Sequence, residues 1–129
     1  MRMRVEHIAL WTNDLETMKL FYVKYFQATP SDKYKNEVKQ FVSYFLKFDS
    51  GARLELMNKP DLQDRQANVT YYGFAHLAFS VGSKAGVIDL TETLRQDGYS
   101  IISEPRVTGD GYFESCIADP EGNFIEITV

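Results

Sequence analysis

Two histidines and two glutamates occupy matching places in a faint internal duplication, and together they make a set of nitrogen and oxygen donors. Val5-Glu6-His7-Ile8-Ala9-Leu10 aligns with Phe74-Ala75-His76-Leu77-Ala78-Phe79 at an offset of 69, and His7 and His76 are the only histidines in the chain. Arg53-Leu54-Glu55-Leu56-Met57 aligns with Phe124-Ile125-Glu126-Ile127-Thr128 at an offset of 71. Each half therefore carries one His and, 48 or 50 residues later, one Glu. Neutral imidazole and carboxylate suit zinc or nickel first, with cobalt, manganese and iron also fitting. Four protein ligands on a metal that accepts more leave positions open for water or substrate. Taken singly, each residue also suits a blander place: a His beside apolar neighbours commonly packs, and a strand Glu is commonly solvated or paired with a cation such as Arg53 or Lys47. The joint placement in both copies favours the donor set.

The elements that must position these donors follow from periodicity. From Val5 to Trp11 the alternation predicts a strand with His7, Ala9 and Trp11 on one face and Ile8 and Leu10 on the other. Asn13 and Glu16 resemble a capping box, and Leu15, Met18, Phe21, Tyr22, Tyr25 and Phe26 recur at helical spacing over about 13 residues. Ala28 to Lys39 is polar and contains Pro30, so it reads as a loop, and strands follow at Phe41 to Phe48 and Arg53 to Met57 after the turn Asp49-Ser50-Gly51. Asn58 to Tyr72 reads as the connection between halves. The order then repeats: a strand from Phe74 to Val81, and a helix from Lys84 to Asp97 with Gly98 as its left-handed stop. Strands near Ser100 to Ser103 and Tyr112 to Ala118 follow, then the turn Asp119-Pro120-Glu121-Gly122 and a last strand from Asn123 to Val129. All four donors then point away from the helices. If the helices cover one side of a curved sheet, the donors converge on its other side, where a divalent cation offsets the cost of desolvating two carboxylates.

Composition bounds the function classes. A chain of 129 residues suits one domain, with module 1 at about 1–58, a linker at about 59–72 and module 2 at about 73–129. The apolar fraction of 44% is too high for disorder, and the single cysteine, Cys116, excludes an intramolecular disulfide. No apolar run reaches the length of a membrane span, and Met1-Arg2-Met3-Arg4 does not lead into a signal-peptide core, so the cytoplasm is the expected compartment. A net charge of −4 without a basic cluster argues against nucleic acid as a partner. The segments Ser31 to Val38, with Tyr34, and Thr108 to Tyr112, with Gly109 and Gly111, are candidates for lining a small-molecule pocket.

At Val5 to Leu10, Asp14-Leu15-Glu16, Phe21-Tyr22, Gly73 to Val81 and Ala118 to Ile127, the chain resembles the glyoxalase I, bleomycin-resistance and extradiol-dioxygenase superfamily, also called the vicinal oxygen chelate superfamily. The resemblance covers almost the whole chain. It implies an α+β fold of two βαβββ modules forming a U-shaped mixed sheet around a metal, in many members with modules paired across a homodimer. It implies a site of His7, Glu55, His76 and Glu126, shared between chains. This ligand set is most similar to bacterial glyoxalase I, the lactoylglutathione lyase, a carbon–sulfur lyase. The implied reaction is proton transfer in a hemithioacetal of a 2-oxoaldehyde, through an enediolate that the metal stabilises. Glu126, or Glu55 from the opposite side, would be the base, and resemblance favours Glu126. Glyoxalase I usually carries, four residues after the first His, an Arg for the glutathione carboxylate; that position is Trp11 here, a candidate substrate contact, and the thiol stays unassigned. Two other readings remain open: a bleomycin-resistance-like protein that sequesters a drug or metabolite without catalysis, and a metal-dependent epimerase of a thioester.

Overall fold

Strict alternation of apolar and polar side chains along short strands gives each half of the chain a sheet with one face covered by a helix. The computed structural model describes all residues 1–129, in two compact units, residues 1–69 and 70–129. The first unit runs β1 (His7–Trp11), α1 (Leu15–Phe26), β2 (Thr29–Pro30), β3 (Tyr34–Asn36), β4 (Phe41–Lys47) and β5 (Arg53–Asn58). Its sheet has the order β1-β5-β4-β2, with β3 also paired to β4, and β1 lies parallel to β5. The second unit runs β6 (His76–Ser80), α2 (Lys84–Gln96), β7 (Ile101–Val107), β8 (Phe113–Ala118) and β9 (Phe124–Thr128), in the order β6-β9-β8-β7 with β6 parallel to β9. No helix or strand lies between Asn58 and His76, and the division between units falls in that stretch. No helix is long and apolar enough to cross a membrane.

Each helix is placed by its apolar stripe. Leu15, Met18, Phe21, Tyr22, Tyr25 and Phe26 of α1 are buried, facing Tyr44 and Leu46 of β4 and Leu54 and Leu56 of β5. Its N-cap is Asp14, one residue later than the capping box expected at Asn13: the Asp14 carboxylate accepts from the Thr17 backbone N–H at 3.0 Å and from the Thr17 hydroxyl at 2.8 Å. Glu16 is drawn elsewhere, accepting from the Tyr44 hydroxyl at 2.8 Å and pairing with Lys33 at 3.0 Å and Lys19 at 3.2 Å. In the second unit, Ser83 caps α2 by accepting from Gly86 N–H at 3.0 Å. Gly98 ends it at φ +91, with its own N–H bonded to Arg95 O and that of Tyr99 to Leu94 O, both at 3.0 Å; this is the left-handed stop the sequence predicts.

Two stretches depart from expectation, and proline explains both. The loop expected from Ala28 to Lys39 contains β2 and β3, which pair with β4; Pro30 sits at the sheet margin, where no N–H is demanded of it. The strand expected to stop near Ser103 continues to Val107 through Pro105, tolerated because β7 is an edge strand whose register shifts between Ser103 and Arg106, across the proline.

Glu16 ties α1 to β4 electrostatically. Lys33, then the Tyr44 hydroxyl and Lys19, hold its carboxyl down at about 2, against an ordinary 4.5. A depressed folded-state value means the contribution is complete above the ordinary value and is lost as pH falls from about 4.5 toward 2. Glu16→Gln is therefore expected to flatten the stability–pH curve across that window, read by urea unfolding at stepped pH. At the other end of α1, Gln27 occupies the left-handed region at φ 56, where a side chain costs about 1 kcal/mol that glycine does not incur. Gln27→Gly is expected to raise unfolding stability by about 0.5–1 kcal/mol, measured by denaturant titration.

Candidate functional site

Period-two alternation decides which side chains can meet. In the first unit Tyr44, Leu46, Leu54 and Leu56 face α1, so Phe45, Glu55, Met57 and their cross-strand partners face the other way. The parallel register sets His7 opposite Arg53 and Ala9 opposite Glu55. The small side chain of Ala9 leaves the diagonal between His7 and Glu55 open, and His7 Nε2 lies 3.8 Å from Glu55 Oε1. Phe45, opposite Glu55, meets the His7 ring edge-on with centroids 5.3 Å apart. On the other nitrogen, His7 Nδ1 lies 3.4 Å from Glu6 Oε1. Arg53 binds both oxygens of Glu6, through Nε at 3.1 Å and through Nη2, and stacks its guanidinium over Phe45 at 4.1 Å.

The second unit repeats the arrangement. Ala78 stands opposite Glu126, and His76 Nε2 is 2.8 Å from Glu126 Oε1. Ser115, Ile117, Ile125 and Ile127 turn to α2, where the Ser115 and Thr91 hydroxyls bond at 2.7 Å. Cys116 is the antiparallel partner of Glu126, and Glu114, two residues away on the same face, reaches the Glu126 carboxyl. Burial, then the Glu126 charge, push the Glu114 carboxyl above its ordinary range, with Arg106 across the strand pair opposing.

The four donors expected from the sequence thus come together as two pairs, His7 with Glu55 and His76 with Glu126, one in each unit. No group of three or more His, Cys, Asp or Glu side chains forms at ligating spacing. Donors about 2.1 Å from one ion, at tetrahedral or octahedral angles, stand about 3 to 3.5 Å apart. The two pairs lie just outside that range on either side, at 3.8 Å and at the hydrogen-bond distance of 2.8 Å, so what fits a divalent cation is the donor chemistry, an imidazole nitrogen facing a carboxylate oxygen.

Of the expected substrate contacts, Trp11 and Tyr34 share the Glu55 face, in one cross-strand row with Ser43 and Met57. Both are about half exposed, and Lys59 places its ammonium 4.7 Å from the Trp11 ring centroid. A cavity of about 320 Å³ is lined by Lys35, Asn36 and Glu37 of the Ser31 to Val38 segment. Tyr112 is exposed on the Thr108 to Tyr112 loop, which closes through Thr108 N–H to Tyr112 O at 2.7 Å. Phe45, Arg53 as a partner of Glu6, Glu114 and Cys116 were not legible as site neighbours, because strand register, absent from any one-dimensional pattern, brings them in, whereas Glu6 stands next to His7 in the sequence and was passed over.

A family model described as the Glyoxalase/Bleomycin resistance protein/Dioxygenase superfamily matches residues 4–127. No curated protein matches the chain. Among solved structures, the trypanothione-dependent glyoxalase I of Leishmania major is similar with a TM-score of 0.78 at 21% identity, over 98% of this chain and 86% of that one. Glyoxalase I of Zea mays superposes with a TM-score of 0.78 at 22% identity over 97% of this chain, which spans 44% of the maize one. A glyoxylase/bleomycin resistance protein/dioxygenase domain from Frankia sp. EAN1pec superposes with a TM-score of 0.85 at 17% identity, over 100% of this chain and 98% of that one. At such identities the likeness is one of fold.

Burial, and next the Glu126 charge, raise the Cys116 thiol above its ordinary value. The native protein is accordingly expected to alkylate with iodoacetamide far more slowly than the urea-unfolded chain at neutral pH, as followed by mass spectrometry.

Proposed function

Because the chain belongs to the glyoxalase/bleomycin resistance protein/dioxygenase superfamily, we propose that it is a metal-dependent lyase of glyoxalase I type. Its substrate is the hemithioacetal that a 2-oxoaldehyde forms with a low-molecular-weight thiol. The observation that carries this reading is the duplicated pair: in both units a His Nε2 faces a Glu Oε1, at 3.8 and 2.8 Å, on the sheet face turned away from the helix. In a homodimer whose chains share the site, His7 and Glu55 of one chain and His76 and Glu126 of its partner would hold one divalent cation, zinc or nickel. When bound, the cation supplies Lewis-acid polarisation of the substrate's two adjacent oxygens.

The residues of the chain perform the proton chemistry. His7 and His76 hold their positions as neutral donors and move no proton. Glu126, whose side chain is 20% exposed against 12% for Glu55, is the more accessible carboxylate and acts as the base. It removes the proton from the carbon bearing the sulfur and returns it to the neighbouring carbonyl carbon, while the hydroxyl proton passes from the first oxygen to the second, so the hemithioacetal becomes a 2-hydroxy thioester with no net change in atoms. Trp11 and Tyr34, which share the Glu55 face, are the substrate contacts of the first unit, and Tyr112 is the candidate contact of the second.

Glu126→Gln is expected to retain most of the bound zinc or nickel while losing thioester formation by about 10²- to 10⁴-fold. Metal content by plasma mass spectrometry, and turnover of methylglyoxal with a panel of thiols, check both halves of the expectation. Metal-loaded protein that forms no thioester with any thiol would overturn the lyase reading, and protein that retains neither metal on soaking favours a sequestering role.

A further inference from the structure

Resting on that reading of His7 as a ligand, we propose that Glu6, clamped by Arg53, is a positioning residue that fixes the His7 ring so that Nε2 is the donor nitrogen. A histidine offers a metal one nitrogen, and a carboxylate on the other holds the N–H there, which sets both tautomer and ring angle. The His7 ring meets this requirement on three sides. Glu6 Oε1 stands 3.4 Å from Nδ1, Glu55 Oε1 stands 3.8 Å from Nε2, and Phe45 abuts the ring edge-on.

Glu6 alone would be a poor guide, being half exposed and free to rotate. Arg53 removes that freedom. It binds both Glu6 oxygens in a forked contact, its own N–H donates to Glu6 O at 2.9 Å, and its guanidinium lies on the Phe45 ring that also contacts His7. The clamp is closed on itself: Arg53 orients Glu6, Glu6 orients His7, and Phe45 supports both ends.

The second copy of the duplication lacks every part of it. The positions matching Glu6 and Arg53 are Ala75 and Phe124, so both partners are replaced together, and the residue matching Phe45 is Cys116. His76 has Glu126 at Nε2 and no carboxylate at Nδ1. The two histidines therefore differ in kind: His7 is held ready, whereas His76 depends on its Glu and on whatever binds.

The metal-free protein provides the decisive test, since nitrogen-15 NMR reads imidazole tautomers without any ligand. Well above the imidazole range, at about pH 8.5, His7 is expected to be almost wholly the Nδ1–H tautomer, and Glu6→Gln or Arg53→Leu to shift it toward a mixture, with His76 unchanged as the internal reference. Zinc affinity by chelator competition is expected to weaken about 10- to 100-fold in both variants, with an unchanged thermal midpoint, and Arg53→Lys to recover part of the loss. An unaltered His7 tautomer in Glu6→Gln would overturn the proposal, as would wild-type zinc affinity in that variant. Wild-type protein without zinc affinity would instead overturn the metal reading, and the tautomer measurement would still decide what Glu6 does to His7.

Discussion

Everything at the candidate site depends on two parallel strand pairings in one register. In β1 with β5 and in β6 with β9, an alanine stands directly opposite the glutamate, and the histidine stands opposite the residue two before it. A slip of one residue would turn His7 and His76 toward the helices and bring Ile8 and Leu77 out, because side chains alternate strictly. Register is held from the apolar side: Leu54, Leu56, Ile125 and Ile127 are almost wholly buried under the helices, and moving any of them to the open face would forfeit about 1.5–3 kcal/mol per side chain. The core thus specifies the polar site without touching it. Parallel pairing of β1 with β5 also needs a long crossover, and α1 with the strands after it supplies one.

The second unit carries the simpler βαβββ order, while the first has one strand more, the short β2 and β3 both pairing with β4 where β7 alone pairs with β8. Their polar networks diverge further. Around His7 the neighbours are Glu6, Arg53 and Phe45, a cation, an anion and a ring that satisfy one another. Around Glu126 they are Glu114 and Cys116, whose ordinary ionisation is suppressed by burial and by Glu126 itself. A duplicated scaffold has therefore kept the positions of its donors and changed their surroundings.

Much of this was legible in the sequence because period-two and period-3.6 patterns report burial directly. The faces of His7, Glu55, His76 and Glu126, the buried stripe of α1 and the left-handed stop at Gly98 all follow from spacing and from glycine's freedom at positive φ. The start of α1 was misplaced by one residue, since Asn13 and Asp14 are both competent caps and only the bond to Thr17 distinguishes them. β2 and the far half of β7 were hidden by Pro30 and Pro105, which remove a donor that an edge strand does not need. In the blander reading of the sequence Arg53 or Lys47 is a cation available to the strand glutamates. Arg53 pairs with Glu6 because β5 runs beside β1 with Arg53 opposite His7, and no pattern along one strand contains that adjacency.

Stability does not explain the polar face. Exposed ion pairs contribute little, and a Glu55 side chain only 12% exposed, with an imidazole as its near partner, is a poorer choice for folding than threonine or valine in the same strand. Arg53 acts on Glu55 through its charge alone, because a fork and a backbone bond hold it on Glu6. Glu126 likewise shares its face with Glu114, a second acid rather than a counter-cation. Glu55 and Glu126 each have a histidine as their ion-pair partner, while Arg53 and Arg106 act on these faces only from a distance. That facing of histidine and glutamate is the same on both copies although nearly every other neighbour has changed.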